Sequence, residues 1–114
     1  MAALHELTTI EDWQHTLEQS NEQAVLVMKH STTCPKSADA WEEFQAAVKE
    51  ADEKKAAFVF VKVIESRPIS QQIAEDIGVK HESPQALLIK NKKVSWDTSH
   101  MNITKQAIQD AVRA

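Results

Sequence analysis

The sequence predicts an α/β domain, a mixed and mostly parallel sheet with helices on both faces. Two nearly continuous apolar runs, "AVLVMK" (24–29) and "AAFVFVKVI" (56–64), have the length and composition of strands covered on both sides. Segments with apolar residues at helical spacing alternate with them, the pattern of βαβ units and parallel strands. Near the C-terminus, "QALLIK" and "VSWDTS" are separated only by residues 91–93, which makes a hairpin and gives the sheet an antiparallel edge.

Each element has its own local signal. "LHELTT" (4–9) is a short, weak strand. A helix starts from Thr9 as N-cap, with Asp12 three residues on in the place of a capping box and Ile10, Trp13 and Leu17 along one face. After the strand at 24–29, the longest helix opens at Cys34 and Pro35 and carries Trp41, Phe44 and Val48 at helical spacing. Its far end, "KEADEKK" (49–55), is solvated charge. The run 56–64 is read as the central strand. Pro68 fits the first turn of the next helix, Ile69, Ile73 and Ile77 form its buried stripe, and Gly78 ends it as a C′ glycine. Beyond the loop "VKHESP" (79–84) comes the hairpin, in which Val94 and Trp96 point one way. A last helix from Asn102 presents Ile103, Ala107, Ile108, Ala111 and Val112. The order is β-α-β-α-β-α-β-β-α.

A chain of 114 residues, 42% apolar and 26% charged, reads as one domain spanning 1–114. A net charge of −4 and a pI near 5.7 leave no basic stripe for nucleic acid. The N-terminus lacks the basic region and apolar run of a signal peptide, and "AAFVFV" is far short of the roughly 20 residues of a membrane helix. A single cysteine forms no internal disulfide. The expected location is the cytoplasm, with no nucleic-acid or membrane partner.

That cysteine lies in "STTCPKSADAW" (31–41), where an apolar strand ends and a helix begins. Pro35 suits the first helical position, which makes Cys34 the N-cap, its sulfur facing the free N–H groups of Lys36 and Ser37. A helix N-terminus carries about half a positive charge and favours thiolate over thiol. Lys36 adds a cation, and Ser37, one turn along, offers a hydroxyl hydrogen bond to the sulfur. All three effects lower the thiol pKa, and the thiolate is the nucleophile. Many lone cysteines are small packing hydrophobes, but such a residue belongs inside an apolar run, and Cys34 sits among Ser31, Thr32, Thr33 and Lys36.

The other candidate chemistries find little support. Five histidines (His5, His15, His30, His81, His100) are scattered without a metal-ligand spacing, so no metal site is expected. His30 and His81 flank the predicted site, where they would tune the thiol's pKa, and are more simply read as exposed loop residues. Trp13, Trp41 and Trp96 are read as core, with Trp41 packing beneath the cysteine. There is no Gly-rich phosphate loop and no G-x-S-x-G.

The order of elements, with C-P-x-S at a helix start and X-Pro before the final hairpin, resembles the thioredoxin fold over essentially the whole chain. That resemblance implies a cis Ser83–Pro84 bond lying against the active-site cysteine, with the Ser83 backbone offering hydrogen bonds to a substrate chain. Two departures stand out. Ser37 occupies the place of the resolving cysteine, and Met28 the place of a buried acid. The chemistry implied is therefore monothiol, with the second thiol supplied from outside.

"HSTTCPKS…W" together with "ESPQALLI" is similar to the monothiol bacilliredoxin family, small general stress proteins of bacillithiol-producing bacteria. The resemblance implies an enzyme that removes bacillithiol from S-bacillithiolated proteins. Cys34 would be the nucleophile, Thr33, Pro35, Lys36 and Ser37 would line and polarise the site, and Ser83 and Pro84 would bind the incoming chain. It implies no tightly bound cofactor. Bacillithiol would be the co-substrate, and bacillithiol or a bacillithiol-regenerating reductase would restore Cys34. Bacillithiol carries a malate group, whose carboxylates nearby lysines such as Lys36 would hold. Two alternatives stay open: an Fe–S carrier of the monothiol glutaredoxin type, against which Pro35 and Lys36 replace that family's Gly-Phe, and a redox-inert interaction module on the same fold.

Overall fold

A computed structural model describes residues 3–33, 35–52 and 54–113. The chain runs β1 (Leu4–Glu6), α1 (Ile10–Gln19), β2 (Ala24–His30), α2 (Pro35–Glu50), β3 (Ala56–Lys62), α3 (Arg67–Ile77), β4 (Gln85–Lys90), β5 (Lys93–Ser99), a 3₁₀ turn (His100–Asn102) and α4 (Lys105–Arg113). This is the predicted order.

The helix signals act locally, as written. Thr9 Oγ1 accepts the Asp12 N–H at 3.0 Å, and Asp12 Oδ2 accepts the Thr9 N–H at 3.2 Å, closing the capping box. The same carboxylate accepts the Thr8 N–H, which does most to hold Asp12 below its ordinary pKa. Gly78 ends α3 at φ +68°, a left-handed conformation that glycine adopts without a Cβ penalty. Asn91 and Lys92 take φ values of 52° and 64°, the two positive angles of a tight hairpin turn whose twist matches the flanking strands. The last α-helix starts later than expected. The turn His100–Asn102 comes first, and Thr104 then caps α4 by accepting the Ala107 N–H at 3.1 Å.

The five strands pair in the order β1-β3-β2-β4-β5, with β3 parallel to both β1 and β2, and β4 antiparallel to β2 and to β5. The run at 56–64 is therefore not the central strand; β2 is. Both runs are apolar because helices cover both faces, so composition alone does not rank their positions. Burial does: Val25 through His30 are all buried, whereas β3 alternates with half-buried positions. The β4–β5 register also slips between Leu88 and Ile89, which sets Trp96 opposite Leu88 but Val94 opposite Ile89. The expected common face of Val94 and Trp96 is broken by this bulge.

The sheet separates two apolar layers. On one side Leu26, Met28, Phe58, Ala86 and Leu88 meet Phe44 and Val48 of α2 and Ile108 of α4. On the other, Val25, Val27, Val59, Val61, Leu87 and Ile89 meet Trp13 of α1 and Ile69 and Ile73 of α3. Trp13 is fully buried, and its Nε1 donates to Asp76 Oδ2 at 2.8 Å, tying α1 to α3 across that layer.

Candidate active site

Because β2 and β3 are parallel, their C-terminal ends lie at one edge of the sheet, the edge where α/β folds carry their binding sites. Antiparallel β4 begins at that same edge, so the segment after β2 and the segment before β4 are brought together. The register pairs Lys29 with Gln85, so His30, which ends β2, and Pro84, which precedes β4, follow at that same end. Thus the predicted residues Thr33, Pro35, Ser37, Ser83 and Pro84 gather at one end of the sheet. Cys34 lies outside the described residues, as does the Lys36 side chain, so their predicted contacts are not part of this geometry.

The Ser83–Pro84 bond is cis, as the resemblance implies. Pro84 is buried, and its carbonyl accepts the His100 N–H at 3.0 Å. Among the described residues, the buried Ser83 Oγ has no hydrogen-bond partner. Thr33 and Pro35 are exposed, and Thr33 Oγ1 lies 3.3 Å from Ser31 Oγ. The loop after β3 closes on this segment through two bonds: Val63 N–H to His30 O at 2.9 Å, and Thr32 Oγ1 to Glu65 Oε2 at 3.3 Å.

Ser37 is the buried member of the set, with no exposed surface. Its Oγ accepts the Ser31 N–H at 2.9 Å and sits 3.0 Å from His30 Nδ1. A hydroxyl has one proton and two lone pairs, so the Ser31 bond leaves the proton free to point elsewhere. The tautomer of His30 decides where. With its proton on Nδ1, His30 donates to Ser37 and frees the Ser37 proton; with its proton on Nε2, it takes that proton as acceptor.

His30 corrects the sequence reading. It is the last residue of β2, only 8% exposed, and stacks on Trp41 with ring centroids 4.5 Å apart and planes at 21°. Burial lowers its pKa, with Glu65 opposing this and the Lys62 charge adding to it, which favours the neutral ring. Trp41 in turn meets Phe60 edge-on at 4.9 Å and Phe44 at 5.5 Å, which makes it a support under His30.

Sequence reasoning missed a second polar group. Lys29 has no exposed surface, and its Nζ contacts His81 Nδ1 at 3.1 Å. His81, in an exposed loop as expected, is also 3.3 Å from the Oγ of buried Ser70 on α3. Gln85, beside Lys29 in the register, donates from Nε2 to Lys80 O at 3.0 Å and leaves Oε1 buried without a partner among the described residues. Burial pulls the Lys29 pKa down to about 8. Burial, then the Lys29 charge, lowers that of His81 against the pull of Glu82. The signal available in the sequence was a lysine and a histidine in succession at the end of an apolar strand.

Among the described residues, no helix is long and apolar enough to cross a membrane, and no three His, Cys, Asp or Glu side chains gather as a metal site.

Compared with solved structures, the chain superposes on a protein of thioredoxin fold with a TM-score of 0.82, 31% identity, and coverage of 95% of this chain and 92% of that one. It superposes on the thioredoxin of Malassezia sympodialis with a TM-score of 0.79 at 14% identity, covering 99% and 90% of the two chains. For the Schistosoma mansoni thioredoxin pre-protein the values are 0.77 and 22%, covering 98% and 97%. The last two show the fold alone. Residues 5–108 match the family described as monothiol bacilliredoxin BrxC, a span that takes in the β2–α2 junction, the Lys29–His81 contact and the cis-proline. With that match and this fold, the chain belongs to the monothiol bacilliredoxin family and is a thiol redox protein.

Proposed function

We propose that the protein removes bacillithiol from S-bacillithiolated proteins, with Cys34 as its exchange nucleophile. The Cys34 thiolate attacks the bacillithiol sulfur of the mixed disulfide. A new S–S bond forms between Cys34 and bacillithiol, the old one breaks, and the protein substrate leaves as a thiolate that takes a proton from solvent. A second bacillithiol then attacks the bacillithiol sulfur of the Cys34 adduct, Cys34 leaves as the thiolate, and the bacillithiol disulfide released is returned to two thiols by a bacillithiol-regenerating reductase. Rate depends on the thiolate fraction, the nucleophilicity of the attacker and the pKa of the leaving thiol.

The observation that carries the reading is Ser37. At the place of a resolving cysteine the chain has a fully buried hydroxyl, fixed by the Ser31 N–H and adjoining His30. Our reading assigns that hydroxyl to the thiolate, and the chain, with one cysteine, offers no second thiol. Thr33 and Pro35 line the exposed side, Lys36 adds its charge, and Ser83 and Pro84 supply the strand-like edge for the incoming chain.

The test is intact mass after mixing with a bacillithiolated model protein. Transfer of the bacillithiol mass onto this chain, abolished by Cys34→Ser, is the expected result. No transfer, with Cys34 still alkylated by iodoacetamide, would refute the assignment and leave the Fe–S carrier and the interaction module ahead.

A further inference from the structure

Beside the predicted thiol site, a cavity of about 150 Å³ is lined by Val63, Ile64, Arg67, Ser70, Gln71 and His81. That volume takes a group of roughly the size of benzene. It opens between two segments already placed at the site: the loop after β3, bonded to the residues before Cys34, and the loop that carries His81 three residues ahead of Pro84.

The polar side of this cavity is cationic and organised from beneath. An ammonium has donors and no acceptor, so the 3.1 Å contact makes Lys29 the donor and His81 Nδ1 the acceptor. The proton of the neutral ring therefore sits on Nε2, and His81 becomes a fixed N–H donor on its outer side. Arg67, exposed at the start of α3, adds a guanidinium at the rim. Among the described residues no carboxylate pairs with Lys29; Glu65 bonds Thr32, and Glu82 lies 3.2 Å from His100 while its charge also acts on the His81 ring, without outweighing burial and Lys29 there. A buried cation with no counter-charge, under an N–H donor and a guanidinium, is complementary to a carboxylate.

We propose that this cavity is a carboxylate-binding subsite for the small thiol that exchanges with Cys34, contacted by Arg67 and His81, with Lys29 orienting His81 from below. The proposal rests on the exchange reading above, in which that thiol is bacillithiol and the carboxylates belong to its malate group. It places them on α3 and the His81 loop, in addition to whatever Lys36 contributes.

Two measurements test it. In the Cys34→Ser protein, which cannot exchange, L-malate is titrated while the His81 ring is followed by NMR. A saturable shift that weakens about tenfold in Arg67→Ala, about 1.4 kcal/mol, is expected; no shift, or the same affinity in Arg67→Ala, overturns the subsite. In the active protein, discharge of a Cys34–2-mercaptoethanol mixed disulfide is timed with bacillithiol and with 2-mercaptoethanol, so that only the incoming thiol can bring a carboxylate. Arg67→Ala should raise KM for bacillithiol about tenfold, leave kcat unchanged and leave the mercaptoethanol rate untouched. An equal loss with both thiols refutes a carboxylate contact, and an unchanged bacillithiol KM despite malate binding refutes its use by the thiol. If malate binds through Arg67 while bacillithiol never loads onto Cys34, the carboxylate site stands and the exchange reading falls.

Discussion

Replacing Lys29 with methionine should change how stability depends on pH more than it changes stability at any one pH. The buried ammonium has a pKa of about 8 in the folded chain against an ordinary 10.5, and desolvation is the cause. Below pH 8 both folded and unfolded chains carry the proton, and the folded state bears the full cost of burying it, about 3 kcal/mol. Between about pH 8 and 10.5 the folded chain has lost that proton and the unfolded chain has kept it. The unfolded state then binds more protons, so stability rises with pH, by about 2–3 kcal/mol from pH 7 to pH 10. Methionine has a similar length and no titration, and it surrenders the bond to His81, itself about 1–3 kcal/mol. At pH 7 these terms nearly offset, so the slope is the diagnostic. Both proteins are compared in a Cys34→Ser background, which removes the thiol titration, and the chain has no tyrosine to ionise in that range. Urea unfolding reads the difference as a midpoint shift of roughly 1–2 M, present in the Lys29 protein on going to pH 10 and absent from the variant. Parallel pH profiles would show that Lys29 is hydrated in solution, and the argument from its burial would fail.

Ser37→Ala should leave the Ser31 N–H unpaired inside the protein, at a cost of about 1–3 kcal/mol. It should also raise the Cys34 pKa, read from the pH dependence of iodoacetamide alkylation; an unchanged titration would remove Ser37 from thiolate stabilisation. Gly78→Ala meets no atom within 4 Å of the added methyl group, so its cost is purely that of a left-handed residue at φ +68°, about 1–2 kcal/mol. An unchanged melting temperature would contradict that. Phe44→Ala empties a fully buried position between Trp41 and Phe58 and should cost about 3–5 kcal/mol in a urea titration, with less than 1 kcal/mol refuting tight packing there.

What the sequence made legible was local. The Thr9–Asp12 box, the glycine after α3 and the strand-turn-strand at 85–99 are each decided by a few adjacent residues, and each is in place. The position of a strand within the sheet is set by its neighbours, and two covered strands carry the same apolar signature, which is why β2 and β3 were exchanged as centre. The bulge at Leu88 and Ile89 escaped for a similar reason: it depends on how β5 is held against β4, and nothing in "VSWDTS" announces an extra residue.

The candidate site shows where such local reading stops. Side chains on a strand alternate between faces, so Met28 and His30 point toward α2 while Lys29 points toward α3. Position 28, where the thioredoxin resemblance implies a buried acid, holds methionine, and the titratable group inside β2 is its neighbour Lys29. Lysine at the end of an apolar run reads as the first solvated residue, because lysine is almost never fully buried without a partner. Its burial becomes visible only when β4 and α3 close over it. The two polar residues that end β2 then divide the work between layers. His30 reaches Ser37 in the first turn of α2, and Lys29 reaches His81 in the loop ahead of Pro84. An ammonium kept inside the sheet without a counter-charge among the described residues lowers stability at neutral pH, and residues that break the folding rules in this way concentrate where a protein works. The position of Lys29, five residues before Cys34 and beside the cis-proline segment, ties that cost to the thiol site.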